Sequence, residues 1–215
     1  MNPKPITIVG CGPGSLEYVT PAALRAIREA RVLVGATRLL EAFPESSAAR
    51  IAVGADIPGV LEKMAERIAN GERVTVLVTG DPGLCSLATP VLRRFSSDAC
   101  RVIAGVSSVQ AAFAAIGADW LDARILSAHD NVPEAAPETF AAEEKLAVLA
   151  GNPASAGWVE ALARTLLATH HLFLCENLTL ENESIRRIEA RNFPLQPASR
   201  SLFLFLKKQT HTLNP

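Results

Sequence analysis

Three glycine-containing turns stand out for the chemistry they could support: Gly10-Cys11-Gly12-Pro13-Gly14, Thr79-Gly80-Asp81-Pro82-Gly83 and Ala104-Gly105-Val106-Ser107-Ser108. Each follows a short apolar run and precedes a helical pattern. Glycine directly after a strand lets the chain turn sharply and lets a ligand approach the backbone, because no side chain stands between them. In a parallel α/β sheet the loops at the carboxyl ends of the strands gather on one edge, which is where ligands bind. The three turns therefore face one cleft. Any one of them alone is an ordinary α/β turn; three on one edge point to a ligand site. Gly10, Gly12, Gly14 and Gly80 would form its close backbone approaches, and Ser107 and Ser108 add two hydroxyls and a helix N-terminus.

The first turn resembles a dinucleotide fingerprint but departs from it in three ways. Ser15 occupies the place where G-x-G-x-x-G requires glycine, and Val34-Gly35-Ala36-Thr37-Arg38 holds no carboxylate where one is expected, about 20 residues on. Pro13 has no N–H to offer a phosphate. A nicotinamide or flavin site is therefore disfavoured. The four cysteines, Cys11, Cys85, Cys100 and Cys175, are scattered singly, without the pairing of a zinc or redox motif. Cys11 and Cys85 lie inside the turns but have no histidine nearby in sequence, so buried or structural thiols are the expectation and no metal site is foreseen.

The elements that must hold these turns read as follows. Strands are expected at Ile6 to Val9, Arg31 to Val34, Val74 to Thr79 and Arg101 to Ala104. Helical patterns lie between them: Thr20 caps one with Pro21 at its first position, Val60 to Ile68 forms another ended by Gly71, and Leu87, Val91 and Phe95 mark a third. Ser107 or Ser108 caps a fourth, which stops at Gly117. Alternating strands and helices imply βαβ units and a parallel sheet. After Gly117 strands follow one another, at Arg124 to Ser127, Leu146 to Ala150, Leu172 to Cys175, Ser184 to Ile188 and Ser201 to Leu206, with one good helix at about Ala156 to Ala168. That grammar suits a mixed sheet. The expected architecture is a two-domain α/β protein, with residues 1–119 carrying a mostly parallel sheet with flanking helices and residues 120–215 a mixed sheet.

Composition narrows the function classes. The 215 residues are 49% hydrophobic and 20% charged, as in a folded globular chain, and 21 Lys plus Arg against 22 Asp plus Glu leave a net charge of −1. The electrostatic footprint of a nucleic-acid binder is missing. The apolar runs are strand-length, well short of the roughly 20 residues that cross a bilayer, and the N-terminus lacks the pattern of a signal peptide. A cytoplasmic protein that engages neither nucleic acid nor membrane is the expectation.

The segments VGCGPGSLEYVTPAAL, VLVTGDPG and IAGVSS together resemble the tetrapyrrole methylase family, across nearly the whole chain. Val34-Gly35-x-x-Arg38-x-Leu40, Gly105 to Gln110, Ser127-x-His129 and Glu176-Asn177-Leu178 are most similar to its cobalamin-pathway branch, which methylates carbon 5 of a corrin precursor. The resemblance implies two α/β domains, S-adenosyl-L-methionine in the cleft between them, a corrinoid substrate, a homodimer and a separate decarboxylating precorrin methyltransferase as pathway neighbour. Carried over by position, Pro13 borders the cleft, Thr79, Asp81 and Leu84 line the cofactor, and Ser107 and Ser108 approach it. Gly151-Asn152 and Asn177-Leu178 reach in from the second domain.

Methyl transfer from a sulfonium needs alignment and exclusion of water more than a nucleophile or metal. If a base is used, His129 is the candidate, set against a structural histidine. The branch shows S-x-H-G-R where this chain has Ser127-Ala128-His129-Asp130-Asn131, so a substrate role for that loop loses its Gly and Arg. Corrin precursors carry many carboxylates, which makes Arg38 the first choice for substrate binding, set against a surface arginine. His170, His171 and His211 read as solvated or dipole-complementing residues, and Arg186, Arg187 and Arg191 as a solvated strand face and its exit. The competing readings are another methylase of this architecture, acting on ribosomal RNA, a protein histidine or another pyrrole position, and a nucleotide-binding oxidoreductase or binding module.

Overall fold

A computed structural model describes residues 4–129, 131–195, 197–198 and 200–208; Asp130 and His211 lie outside the described residues. The chain divides into two compact units, Met1–Ser107 and Ser108–Pro215.

The first unit is a five-stranded sheet in the order β3-β2-β4-β1-β5, built from β1 (Ile6–Gly10), β2 (Val32–Gly35), β3 (Ala49–Ala52), β4 (Val74–Val78) and β5 (Cys100–Ile103). Every pairing in it is parallel. A parallel sheet is covered on both faces, so its central strands must be apolar throughout; β4 and β2 are buried at every position. On one face Ile6, Ile8, Val32, Val34, Val74 and Val76 pack with Val60 and Met64 of α3 (Ile57–Ala69) and Val91 of α4 (Ala88–Phe95). On the other, Val9, Leu33 and Leu77 meet Ala23 and Ile27 of α1 (Pro21–Arg28) and Leu39 and Leu40 of α2 (Thr37–Glu41). Each fully buried Val, Ile or Leu contributes about 1.5–3 kcal/mol. The Thr20 hydroxyl caps α1 by accepting from the Ala23 N–H at 3.2 Å, as its position before Pro21 suggests.

Two elements here carry little sequence signal. Strand β3 (Ala-Arg-Ile-Ala) is an edge exposed except at Ile51, held by the Arg50 guanidinium, which donates to the carbonyls of Leu40 at 2.7 Å and Phe43 at 3.0 Å. Helix α2 spans five residues and has no side-chain cap.

The second unit opens with α5 (Ser108–Ala115) and forms a mixed sheet, order β6-β7-β10-β8-β9, from β6 (Arg124–Ser127), β7 (Lys145–Ala150), β8 (His170–Glu176), β9 (Ser184–Ile188) and β10 (Ser201–Lys207). β6 and β7 run parallel, whereas β10 is antiparallel to β7 and β8, and β9 is antiparallel to β8. Its core joins Leu146, Val148, Leu172, Leu174, Phe203 and Phe205 to Val159, Leu162 and Leu166 of α6 (Ala156–Leu166).

The division falls twelve residues before the 119/120 boundary read from sequence. Val109, Ala111, Ala112 and Phe113 of α5 are all buried, as in a helix apolar on every side, and α5 packs against β10. His170 also differs from expectation. It begins β8, is 1% exposed, and has Nε2 2.9 Å from the Glu143 carbonyl oxygen and Nδ1 2.8 Å from Thr169 Oγ1. A ring satisfied at both nitrogens can be buried at little cost. No helix among the described residues is long and apolar enough to cross a membrane.

Candidate functional site

The carboxyl ends of β1, β2, β4 and β5 share one edge of the first unit, and the three glycine turns meet there backbone to backbone. The Gly80 N–H donates to the Gly12 carbonyl at 2.7 Å and the Gly12 N–H donates to the Gly80 carbonyl at 3.3 Å, closing an isolated antiparallel bridge. The Cys11 N–H donates to Val78 O at 2.9 Å beside it. Gly12 and Gly80 have φ of +74° and +67°, a region L side chains rarely enter. Gly10 and Gly105 are required for a different reason. A Cβ on Gly10 would stand 2.6 Å from Gly105 N and 2.7 Å from Gly80 O, and one on Gly105 would stand 2.4 Å from Gly80 O and 2.8 Å from Gly10 C.

Asp81 completes the lock. Its Oδ1 accepts from the Gly83 N–H at 2.8 Å and its Oδ2 from the Gly105 N–H at 3.0 Å, so one carboxylate ties the second turn to the third. The Leu84 N–H donates to Asp81 O at 3.1 Å. The amides of Gly12, Gly80, Gly83, Leu84 and Gly105 are thus spent on the loops themselves, and Pro13 has none to give. A dinucleotide loop uses such amides for its pyrophosphate, and these five are not available for one. Asp81 and the glycines serve here by shaping the turns.

Side chains at this edge agree in part with expectation. Arg38, exposed in the first turn of α2, donates from Nη2 to Thr79 Oγ1, so the two residues from separate strand ends sit together. Pro13 and Ser107 are buried, whereas Gly14, Thr79 and Leu84 are half-buried. Ser107 closes the first unit and Ser108 opens the second.

The second unit has its own convergence. β6, β7 and β8 point the same way, because β6 parallels β7 and both β7 and β8 oppose β10. Their carboxyl ends bring His129, Gly151-Asn152 and Asn177-Leu178 to one edge, where Ser201 pairs with both Ala150 and Glu176. His129 is exposed. The Asn152 side chain accepts from the Ala154 N–H at 2.9 Å, capping a short 3-10 turn. Leu178 is buried, and Asn177 and Thr179 on either side have φ of 49° and 66°. Asn tolerates that conformation, but a β-branched Thr there is strained, as backbone at functional sites often is.

Sequence reasoning missed Glu176. It is 8% exposed, accepts from Arg186 Nη2 at 2.9 Å and from the Ala198 N–H at 2.7 Å, and so fixes the approach to β10. Arg186 is therefore an ion-pair partner of a buried carboxylate. Arg187 reaches His171 Nδ1 at 2.8 Å and Arg191 pairs with Glu189 at 3.1 Å. In the sequence it stood in the Glu176-Asn177-Leu178 segment without a role; the signal for one was a carboxylate ending an apolar strand whose neighbour, β9, is basic.

The thiols follow burial. Burial pushes Cys11 up to about 12 from 9.0, against weaker opposing effects of the Val78 hydrogen bond and Arg38, and pushes Cys175 up to about 12 with help from Glu183 and Glu176. Neither is a nucleophile at neutral pH. Both hold their protons more tightly folded than unfolded, so their contribution to stability is complete below pH 9 and is lost as pH rises from 9 toward 12. The urea midpoint is expected to fall across that window, and the fall to be smaller in a Cys11→Ala/Cys175→Ala variant.

Residues 5–194 match the family of tetrapyrrole (corrin/porphyrin) methylases, and the chain belongs to that family. It is 36% identical over 184 residues to the cobalt-precorrin-7 C(5)-methyltransferase of Salmonella typhimurium, covering 84% of this chain and 88% of that one. The precorrin-6Y methylase (cbiE) of Archaeoglobus fulgidus superposes with a TM-score of 0.71 at 27% identity, covering 94% and 98% of the two chains. A uroporphyrin-III C-methyl transferase from Thermus thermophilus, complexed with S-adenosyl homocysteine, shares the fold with a TM-score of 0.73 at 19% identity over 94% and 96%.

Proposed function

We propose that this chain transfers a methyl group from S-adenosyl-L-methionine to carbon 5 of a corrin precursor, cobalt-precorrin-7 or precorrin-6Y, in cobalamin biosynthesis. The observation that supports the class of chemistry is the match of residues 5–194 to the tetrapyrrole methylases, and the lock of three turns at the carboxyl edge of the parallel sheet is the site it would use. The position methylated rests on the likeness to the Salmonella enzyme.

When bound, S-adenosyl-L-methionine supplies a methyl group on a sulfonium, poised for in-line displacement by a ring carbon. The residues of this chain do the rest by positioning. The locked turns give the methyl donor a rigid wall built from Pro13, Gly14, Thr79, Leu84, Ser107 and Ser108, which keeps alignment and excludes water. Asn152, Asn177 and Leu178 contribute from the second unit. Arg38, held beside Thr79, meets a substrate carboxylate, a pairing its planar fork suits. His129 receives a proton lost from the macrocycle. The active form is a cytoplasmic homodimer, with a separate decarboxylating precorrin methyltransferase as pathway neighbour.

Incubating the protein with methyl-labelled S-adenosyl-L-methionine and each corrin intermediate tests the reading. Label at carbon 5 is expected; label at another ring carbon would reassign the chain to a sister activity, and none with any intermediate would overturn the proposal. In the same assay His129→Gln is expected to lower kcat about 10²-fold or more, the usual share of a general base, with KM unchanged. A variant with full activity would show that no base acts there.

A further inference from the structure

The opposite end of the first unit holds a cavity with a basic lining. Thr75, Thr7 and Arg101 lie side by side in register across β4, β1 and β5, near the amino ends of the strands. Two residues further along the same face stand Leu77, Val9 and Ile103, all buried and apolar. An apolar layer continued beneath α1 would be the expectation for a parallel sheet. Instead, the threonines and Arg101 line a cavity of about 610 Å³ walled by α1, with Lys4, Arg25 and Arg73 also in its lining.

Charge in this cavity is one-sided. Lys4, Arg25, Arg73 and Arg101 line it against a single carboxylate, Glu29. The Lys4 ammonium is held at the rim, donating to the carbonyls of Ser97 and Cys100 at 2.9 Å each. Arg25, Arg73 and Arg101 have no hydrogen-bond or ion-pair partner among the described residues, Glu29 included. Three planar forks and an ammonium against one carboxylate leave positive charge in excess around the threonine hydroxyls, and such forks match phosphate and carboxylate oxygens bidentately. The volume is that of a small-molecule site.

We propose that this cavity binds a small, multiply charged anion bearing phosphate or clustered carboxylate groups, at a site separate from the loops that carry the methyl-donor reading. The proposal stands on the first unit alone and does not depend on that reading.

The test is calorimetric titration of the full chain with tripolyphosphate and with citrate, at about 0.15 M salt so that diffuse attraction is screened. Saturable one-to-one binding of either anion is expected, the stronger one identifying phosphate or carboxylate as the preferred group. Arg73→Glu/Arg101→Glu, both exposed positions, is expected to weaken it about tenfold or more, as loss of a charge-assisted contact does, with S-adenosylhomocysteine affinity unchanged. Absence of saturable binding, or binding that survives the double variant, would overturn the proposal. So would sedimentation showing that the variant separates a dimer while neither anion binds the native chain, since the cavity would then be covered by a second copy.

Discussion

Gly105→Ala is expected to be the most damaging single-methyl change in the first unit. The added Cβ would stand 2.4 Å from Gly80 O and 2.8 Å from the backbone of Gly10. Both neighbours present backbone atoms, Gly10 at the end of β1 and Gly80 just past β4, so no side chain can swing aside. Overpacking of this kind typically costs 1–3 kcal/mol and occasionally more; here about 3 kcal/mol is expected, read from the urea midpoint. Relief requires the three turns to separate, so S-adenosylhomocysteine affinity should fall at least tenfold even where the protein still folds. Gly117→Ala is the informative contrast. Its φ of +67° strains the backbone, but its Cβ would meet nothing within 4 Å. It should lose stability without losing affinity.

Asp81→Ala should produce the second largest effect. It removes the acceptor of two backbone N–H groups, from Gly83 in an exposed turn and Gly105 in a partly buried one. The Gly105 donor has no replacement partner in view, and leaving such a group unsatisfied costs about 1–3 kcal/mol. That exceeds the loss of about 1 kcal/mol expected for a loop residue that merely touches a ligand. Affinity for S-adenosylhomocysteine should fall in parallel, because the second and third turns are no longer tied. Asp81→Asn keeps one acceptor oxygen and should fall between. An Asp81→Ala variant with full stability and lost affinity would make Asp81 a direct ligand contact instead of a staple.

The fold was legible where burial imposed a pattern. β6 and β9 begin and end where their sequence limits lie, and α1, α3, α4, α5 and α6 fall within a few residues of theirs. β3 and α2 escaped because one is an exposed edge whose own Arg50 ties it to carbonyls seven and ten residues back and the other a single short turn; neither needs an apolar stripe. The boundary near residue 119 followed the change of element grammar at Gly117, but α5 belongs with the sheet that buries it, and that is a matter of tertiary contact. His170 and Arg186 were read as solvated because their partners, Glu143 and Glu176, lie 27 and 10 residues away.

At the site, the sequence placed the turns on one edge and left the reason for their glycines open between ligand approach and local geometry. The structure favours geometry at Gly10, Gly12, Gly80 and Gly105. That distinction rests on backbone-to-backbone distances across three loops, for which a linear pattern holds no signal. Arg38 and Thr79 were both singled out for the site, but only the fold brings them into contact.

Equilibrium titration of the native chain with S-adenosylhomocysteine and, separately, with NAD tests the central claim most directly. With five turn amides bonded within the loops and the chain a tetrapyrrole methylase, an adenosyl thioether is the expected ligand and a pyrophosphate is not. Saturable one-to-one binding of S-adenosylhomocysteine, with no measurable binding of NAD, is the predicted result. Tight binding of NAD with none of S-adenosylhomocysteine would contradict it.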